Sequence, residues 1–419
     1  FIPLFPLGFG KFFRIFNIFV RNFKAFQKCQ RTQSHRPRYR PATHLVNTYL
    51  GDFPCLPHCV SILYMDSKFI HLHTHSHYSL LDGLTKLEQM VDIAKSHKMG
   101  AIALTDHGNM YGAIEFYKLC KKEGIKPIIG VEAYVTAGSR HDRATEGGST
   151  KRYYHLILLA KNLQGYKNLM RLVTISNLEG YYYKPRMDKE ILKEFHEGII
   201  CLSACMGGEL SQAMLRDDTE KAEKIIKEHQ DIFGRENYFI EVQAHPSIEN
   251  DKKLRDALVA LGKKHNVTVV ATQDSHYPCA DDHEAHRTLL AINTGHDGKT
   301  EAKFEFSEDD FSLIDEKTAK KFFADYPETV ENTKIVADMC EDYDLELGKA
   351  YFPEFKIDSG KTSDEELKEL ANKGFAFRKI EPNKTYQERL DYELSVIKQK
   401  GYAGYFLVVG DLLRHAREN

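Results

Sequence analysis

The sequence predicts an α/β fold, a barrel or barrel-like parallel sheet of seven strands followed by a mostly helical segment. Three observations predict it. Short apolar strands alternate with amphipathic helices from Lys68 to about residue 285. Polar residues able to bind metal recur at the strand ends, where barrel-like sheets collect their chemistry. Beyond residue 285 the composition turns helical and charged.

In order along the chain, Lys68–Leu72 is the first strand, and Lys86–Lys98 is a helix with Leu87, Met90, Val91 and Ala94 on one face. Ala101–Thr105 is the second strand, and Met110–Glu123 a helix stopped by Gly124. The other strands are Pro127–Val135, His155–Ala160, Ile199–Ser203, Tyr238–Gln243 and Val267–Thr272, with helices at Leu163–Ser176 and Thr219–Phe233. Glu301–Asp310 reads as an acidic, exposed stretch. Helices follow at Thr318–Phe323 and Thr329–Glu341 with Pro327 between them, from about Asp364, from Tyr386 to about Lys400, and from Tyr405 to Arg417. The last pattern runs to the end without a cap, as expected of a chain that continues further.

A length of 419 residues allows two or three domains, and 42% hydrophobic content is ordinary for globular protein. The net charge of −2 conceals a split: residues 1–64 hold nine Lys/Arg against one acid, Asp52, leaving −10 for the rest. The body of the chain therefore lacks the basic field typical of nucleic-acid binders. Any nucleic acid must be held by a local patch, by metals or by other sequence. Eight cysteines without a disulfide framework fit a reducing, cytoplasmic setting. No apolar run from residue 65 onward approaches the ~20 residues of a membrane span. Residues 1–64 read either as a targeting or membrane-surface segment or as a non-native stretch ahead of a start at Met65.

Residues two apart on an extended segment share a face. His73 and His75 can therefore meet one ion together, and Asp274 with His276 repeats the arrangement at the far end of the sheet. His107, Glu132, His155 and Cys205 add further ligand-competent groups at strand ends, although Cys205 also suits a buried apolar position. So many donors suit a cluster of two or three divalent ions, zinc, manganese or iron, with Glu132 as the natural bridge. Such a cluster activates water against a phosphate ester. Glu132, Asp274 and His276 are the members expected at the hydrolytic step. His71 fits a supporting or packing role, Asp106 a role in orienting a neighbour or fixing the turn, and His77 and His97 the surface. His245 could touch a substrate phosphate or the outer nitrogen of a ligand. Gly207, Gly208 and Glu209 form a helix entry that suits an anion or a plain cap equally. No phosphate loop or nucleophile elbow is present.

The ordered motifs His73-Thr74-His75-Ser76, Tyr78-Ser79-Leu80-Leu81-Asp82-Gly83, Thr105-Asp106-His107-Gly108, Gly130-Val131-Glu132-Ala133-Tyr134, Leu202-Ser203-Ala204-Cys205 and Thr272-Gln273-Asp274-Ser275-His276-Tyr277 resemble the PHP (polymerase and histidinol phosphatase) domain. His155-Leu156 running into Leu159-Ala160-Lys161-Asn162 adds to the likeness. Gly112-Ala113-Ile114-Glu115-Phe116-Tyr117, Leu289–Gly295, Phe352-Pro353, Arg389–Leu394 and Gly401–Val409 make residues 66–419 similar to the C-family replicative polymerases of bacteria, the DNA polymerase III alpha subunits.

The resemblance implies a distorted (β/α)7 barrel over residues 65–285 and, over 286–419, a linking segment and the beginning of a polymerase palm. It implies metal ligands at His73, His75, Asp82, His107, Glu132, His155, Cys205, Asp274 and His276. It also implies DNA-directed DNA polymerase activity with a possible 3′–5′ exonuclease in the PHP site. The implied partners are primed DNA template, deoxynucleoside triphosphates, a sliding clamp and other replicase subunits, without a membrane. Magnesium is expected at a polymerase site whose carboxylates this sequence does not contain, since Glu393 and Asp411 are single acids in helical context. A PHP domain kept only as a scaffold, or a free-standing PHP phosphoesterase, are the alternatives.

Overall fold

A computed structural model of the chain describes residues 67–143, 153–294, 309–349, 351, 354–357 and 360–419. The expectations for residues 1–64 and for residues 301–308 of the acidic stretch lie outside the described residues. Helix α1 (Leu87–Ser96) buries Leu87, Met90, Val91 and Ala94, the stripe that its 3.6-residue period presents. Strand β1 (Ala101–Leu104) leads to α2 (Ala113–Glu123), which ends where Gly124 takes a left-handed φ of 73°. Strands β2 (Lys126–Val135) and β3 (Tyr154–Ala160) follow. Helix α3 (Leu163–Leu178) is capped by Asn162, whose side chain accepts from Gly165 N–H at 3.0 Å.

Strands β4 (Tyr181–Tyr182) and β5 (Lys184–Met187) then form a hairpin. After it come α4 (Lys189–Glu194), β6 (Ile199–Leu202), α5 (Glu209–Met214), α6 (Thr219–Phe233), β7 (Tyr238–Val242), α7 (Asp251–His265), β8 (Val269–Ala271) and α8 (His283–Thr294). Helices α9 (Glu316–Phe322), α10 (Pro327–Met339), α11 (Ser363–Phe377), α12 (Lys384–Lys400) and α13 (Ala403–Glu418) complete the described chain.

The strands make one curled, mixed sheet in the order β4-β5-β2-β3-β6-β7-β8, with β1 also on β2. The expected parallel sheet is only partly so. Strands β6, β7 and β8 run parallel, but β3 is antiparallel to both β2 and β6. Among the described residues no crossover helix joins β2 to β3, and a parallel return would need one. The hairpin β4–β5 escaped the sequence reading because its strands are very short and Pro185 argues against a strand.

The expected first strand, Lys68–Leu72, forms no ladder, because side chains take its backbone donors. Lys68 N–H donates to Glu316 Oε2 at 2.8 Å and Ile70 N–H to Thr333 Oγ1 at 2.9 Å. Only residues 71–75 act as a stave. Ala103 N–H donates to His71 C=O and Thr105 N–H to Thr74 C=O on one side, and His75 N–H donates to Ser275 C=O at 2.8 Å on the other. These isolated bonds span the gap between β1 and the end of β8, so the sheet curls into a distorted barrel with an open seam.

The core does not stop at residue 285. Leu313, Ile314, Ala319, Phe323, Val330 and Val336 join the apolar cluster of the strands, and Asn332 Nδ2 donates to Val269 C=O at 2.8 Å. Asp309, expected on an exposed stretch, is buried, and its carboxylate accepts from Ser247 Oγ at 2.6 Å. Helices α11 and α12 bury no residue, whereas α13 buries Ala403 and Leu407. Among the described residues no helix is long and apolar enough to cross a membrane.

Thr333 ties α10 to the seam, and its replacement tests this organisation. Thr333→Val keeps the shape but leaves the buried Ile70 N–H without its acceptor, at a cost of about 1–3 kcal/mol. A lowered thermal midpoint is the expected outcome; an unchanged midpoint would show that the seam draws nothing from this bond.

Candidate metal centre

Two elements converge at the seam. His73 and His75 leave the first stave, and Asp274 follows β8. Their ligand atoms crowd together: His73 Nε2 lies 3.2 Å from His75 Nε2 and 3.0 Å from Asp274 Oδ1, and His75 Nε2 lies 3.2 Å from the same oxygen. The outer nitrogens fix which atoms face inward. His73 Nδ1 donates to Glu241 Oε1 at 2.7 Å, and His75 Nδ1 donates to Ser79 Oγ at 2.9 Å, because the Ser79 hydroxyl is itself spent on Asp106 Oδ1 at 2.7 Å. In the neutral tautomers that these bonds select, two imidazole lone pairs and a carboxylate oxygen point at one another. A positive charge between them answers all three, either a metal ion or the proton that the neighbouring carboxylates favour on His73.

Glu132, in the seventh position of β2, links this triad to the rest. Its Oε1 lies 2.9 Å from His155 Nδ1, its Oε2 is paired with His107 Nδ1, and the His73 and His75 Nε2 atoms each stand 3.5 Å from it. Cys205 Sγ lies 3.5 Å from His155 Nδ1 and 3.9 Å from Glu132 Oε1. His107 Nε2 lies 2.9 Å from Asp82 Oδ2, and the stacked rings of His75 and His276 are 4.3 Å apart. Three triads thus have ligand atoms close enough to hold a divalent metal: His73, His75 and Asp274; His75, His107 and His276; Glu132, His155 and Cys205. Asp82 joins them through His107. Asp82 Oδ1 is a buried acceptor without a hydrogen bond among the described residues, and Glu132 Oε2 and Asp274 Oδ1 meet only ring nitrogens that are themselves able to bind metal, so the donor set fits a cation.

The charges are set by burial and by neighbours. Burial works against ionisation of Glu132, but His155, His107 and His73 hold its carboxyl well below the usual range. Asp274 is held low in the same way by His73 and His276. Burial, then the repulsion of His107 and His276, lowers His75 to about 3, so it is a neutral ligand. Burial also opposes charge on His107, yet Glu132 and Asp82 raise it to about 10. Burial and then Asp274 and Glu132 push the Cys205 thiol up. Protons on His107 and Cys205 are what a divalent cation would displace.

All nine residues singled out in the sequence meet here, with one change in how they do so. Asp274 and His276 do not share a face of an extended segment: Asp274 has a φ of 54°, and the two fall in different triads. The reversed direction of β3 explains why His155 opens its strand while the others close theirs. Asp106 accepts from Ser76 and Ser79 and thereby positions His75, the orienting role expected of it. His71 supports the wall through Ile314 C=O at 3.0 Å. His77 is exposed but His97 is half-buried. His245 is buried and stacked on Phe311 at 4.1 Å. Glu209, at the helix entry after Gly208, pairs with Lys189 at 2.9 Å. The sequence reading missed Glu241, whose signal was a lone carboxylate inside the otherwise apolar run of β7.

Residues 71–245 match the family model of the PHP domain, and residues 365–419 match that of the bacterial DNA polymerase III alpha NTPase domain. Asp274 and His276 lie beyond the first match. The chain is 40% identical over 354 residues to the DNA polymerase III subunit alpha of Borreliella burgdorferi, covering 84% of this chain and 31% of that protein. The corresponding subunit of Treponema pallidum is 41% identical over 353 residues, with 84% and 30% covered. That of Aquifex aeolicus is 40% identical over 372 residues, with 85% and 32% covered. The chain thus spans about a third of the length of these relatives. With both models in order and this identity across most of its length, the chain belongs to the family of bacterial DNA polymerase III alpha subunits.

Proposed function

We propose that the chain belongs to a DNA-directed DNA polymerase, and that its PHP cluster hydrolyses phosphodiesters as a 3′–5′ exonuclease. One observation carries the hydrolytic reading: the Glu132 carboxylate stands between two groups of metal-competent donors, His73 and His75 on one side and His155 and Cys205 on the other, all within 4 Å of it. We assign residues 65–285 to the PHP domain and 286–419 to the link and the start of the palm. We assign two or three divalent ions, zinc, manganese or iron, to His73, His75, Asp82, His107, Glu132, His155, Cys205, Asp274 and His276. The polymerase reading comes from the relatives and brings primed DNA, deoxynucleoside triphosphates, a sliding clamp and other replicase subunits as partners, magnesium at the polymerase site and a cytoplasmic setting.

Ions bound there would supply Lewis acidity toward the phosphate and activate water. The residues of the chain do the rest. Glu241 holds the His73 proton on Nδ1, and Asp106 acts through Ser79 to hold that of His75 on Nδ1. Glu132, Asp274 and His276 are assigned to the hydrolytic step through the ions they would hold. Burial of His73, His75 and Glu132 keeps bulk water from the closed side.

Purified wild type should contain metal and release single nucleotides from a primed template, and Asp274→Asn should reduce that release by about 10- to 100-fold or more. Metal-free protein without Asp274-dependent nuclease would leave the domain a scaffold. Glu241→Gln keeps an oxygen that can accept from His73, Thr272 and Gln243 but removes the negative charge that strengthens the His73 bond, without touching the ions. Titration calorimetry with zinc or manganese should show affinity lower by about 10- to 100-fold; wild-type affinity would remove Glu241 from the site.

A further inference from the structure

The cluster has a closed side and an open one. The side chains of His73, His75 and Glu132 are at most 1% exposed, whereas those of Asp82, His107 and His155 are 20%, 15% and 23% exposed. A substrate reaches the cluster across the second set, and the flank of that set is aromatic. Tyr134 lies 5.9 Å from the His107 ring and 5.5 Å from that of His155, and Tyr153 stacks on His155 at 6.2 Å.

The β4–β5 hairpin prolongs this flank. One edge of β2 takes β1, then His107, then β5 in succession: Ile129 pairs with Leu104, Glu132 with His107 and Tyr134 with Arg186. The hairpin follows so closely that a Cβ on Gly108 would stand 2.7 Å from Pro185 Cγ. Tyr182 pairs with Lys184, leaving Tyr183 at the apex with a φ of 61°, a conformation an aromatic residue adopts only when its surroundings impose it. Tyr181 and Tyr183 are 57% and 68% exposed, and Lys184 Nζ sits 5.2 Å from the centre of the Tyr134 ring.

Exposed tyrosines with a cation, beside a centre that cleaves phosphodiesters, match the chemistry that holds a single strand: bases stack on rings while the cation meets the backbone. The net charge of −10 beyond residue 64 gives no general field to retain the strand, so local contacts such as stacking gain weight beside the cluster. We propose that Tyr181–Lys184 is a stacking platform for the unpaired bases at the 3′ end of a DNA strand, with Tyr183 as its principal contact. The proposal rests on the phosphodiesterase reading of the cluster.

Binding of a short 5′-labelled oligothymidylate, followed by fluorescence anisotropy in an Asp274→Asn background, tests the platform without consuming the strand. Adding Tyr183→Ala should raise Kd about tenfold, while Tyr183→Phe, which keeps the ring, should hold it near the parent value. In the otherwise wild-type protein, Tyr183→Ala should lower the ratio of kcat/KM for the oligonucleotide to that for bis(p-nitrophenyl) phosphate by a similar factor. An unchanged Kd in Tyr183→Ala, or an equal loss in Tyr183→Phe, overturns the platform. Wild type that cleaves the small diester but binds oligonucleotide independently of Tyr183 fails this proposal alone. Wild type that binds through Tyr183 yet cleaves neither substrate fails the nuclease reading alone.

Discussion

Buried negative charge with too few protons to balance it is the constraint on which the structure depends. Glu132, Asp274 and Glu241 are all withdrawn from water within reach of His73. Burying a carboxylate without a compensating charge costs several kcal/mol even after relaxation, so the fold must deliver cations to this point. It delivers imidazoles. Burial disfavours a charged His73, but Asp274, Glu241 and Glu132 outweigh burial and raise its pKa well above the usual value. Protons on the imidazoles and divalent ions are therefore competing solutions to the same electrostatic demand, and whichever occupies the cluster also stabilises the barrel that assembles it.

Strand β2 translates that demand into architecture. Its long edge receives β1, the His107 bridge and β5 in turn, while its other edge holds β3 in reverse. Because β3 runs backward, its first residues stand at the rim where the parallel strands end, and His155 meets Cys205 there. A uniformly parallel sheet would have carried His155 to the opposite rim. The irregular topology is thus a condition for the Glu132, His155 and Cys205 group, and Glu132 is the residue that joins this group to the histidines of the seam.

How much of this was legible in the sequence depends on the range over which each feature is determined. Helices α1, α2 and α6 were readable because their buried stripes and end signals are local: Leu87, Met90, Val91 and Ala94, the stop at Gly124, and the Asp218 cap. The nine site residues were readable because metal chemistry restricts residue types and motif order carried the rest. The first strand was placed too early because Glu316 and Thr333, which take the backbone donors of Lys68 and Ile70, lie more than two hundred positions away. The reversal of β3 was hidden because alternation along a strand is the same in either direction. Glu241 was hidden because one acid in an apolar strand does not say which distant imidazole it faces.

Of the nine non-glycine residues with left-handed backbone among the described residues, four border the cluster or its hairpin: Leu81 at φ 61° precedes Asp82, Ala204 at 66° precedes Cys205, Asp274 at 54° is itself in a triad, and Tyr183 at 61° heads the adjoining hairpin. Each such conformation costs of order 1–3 kcal/mol and persists only where neighbouring structure over-determines it. That over-determination is visible around Asp274. Ser275 N–H donates to His73 C=O at 3.3 Å, the Ser275 hydroxyl donates to Ser312 C=O at 2.9 Å, and His276 N–H donates to Phe311 C=O at 2.8 Å. Residues 311–314 are held in turn by the apolar core that continues through Phe323 and Val330. The helical segment beyond the strands is therefore part of what keeps the Asp274 carboxylate turned inward. A barrel cut off after its last strand would lose the contacts that fix Asp274, so the cluster and the segment that follows the strands form one structural unit.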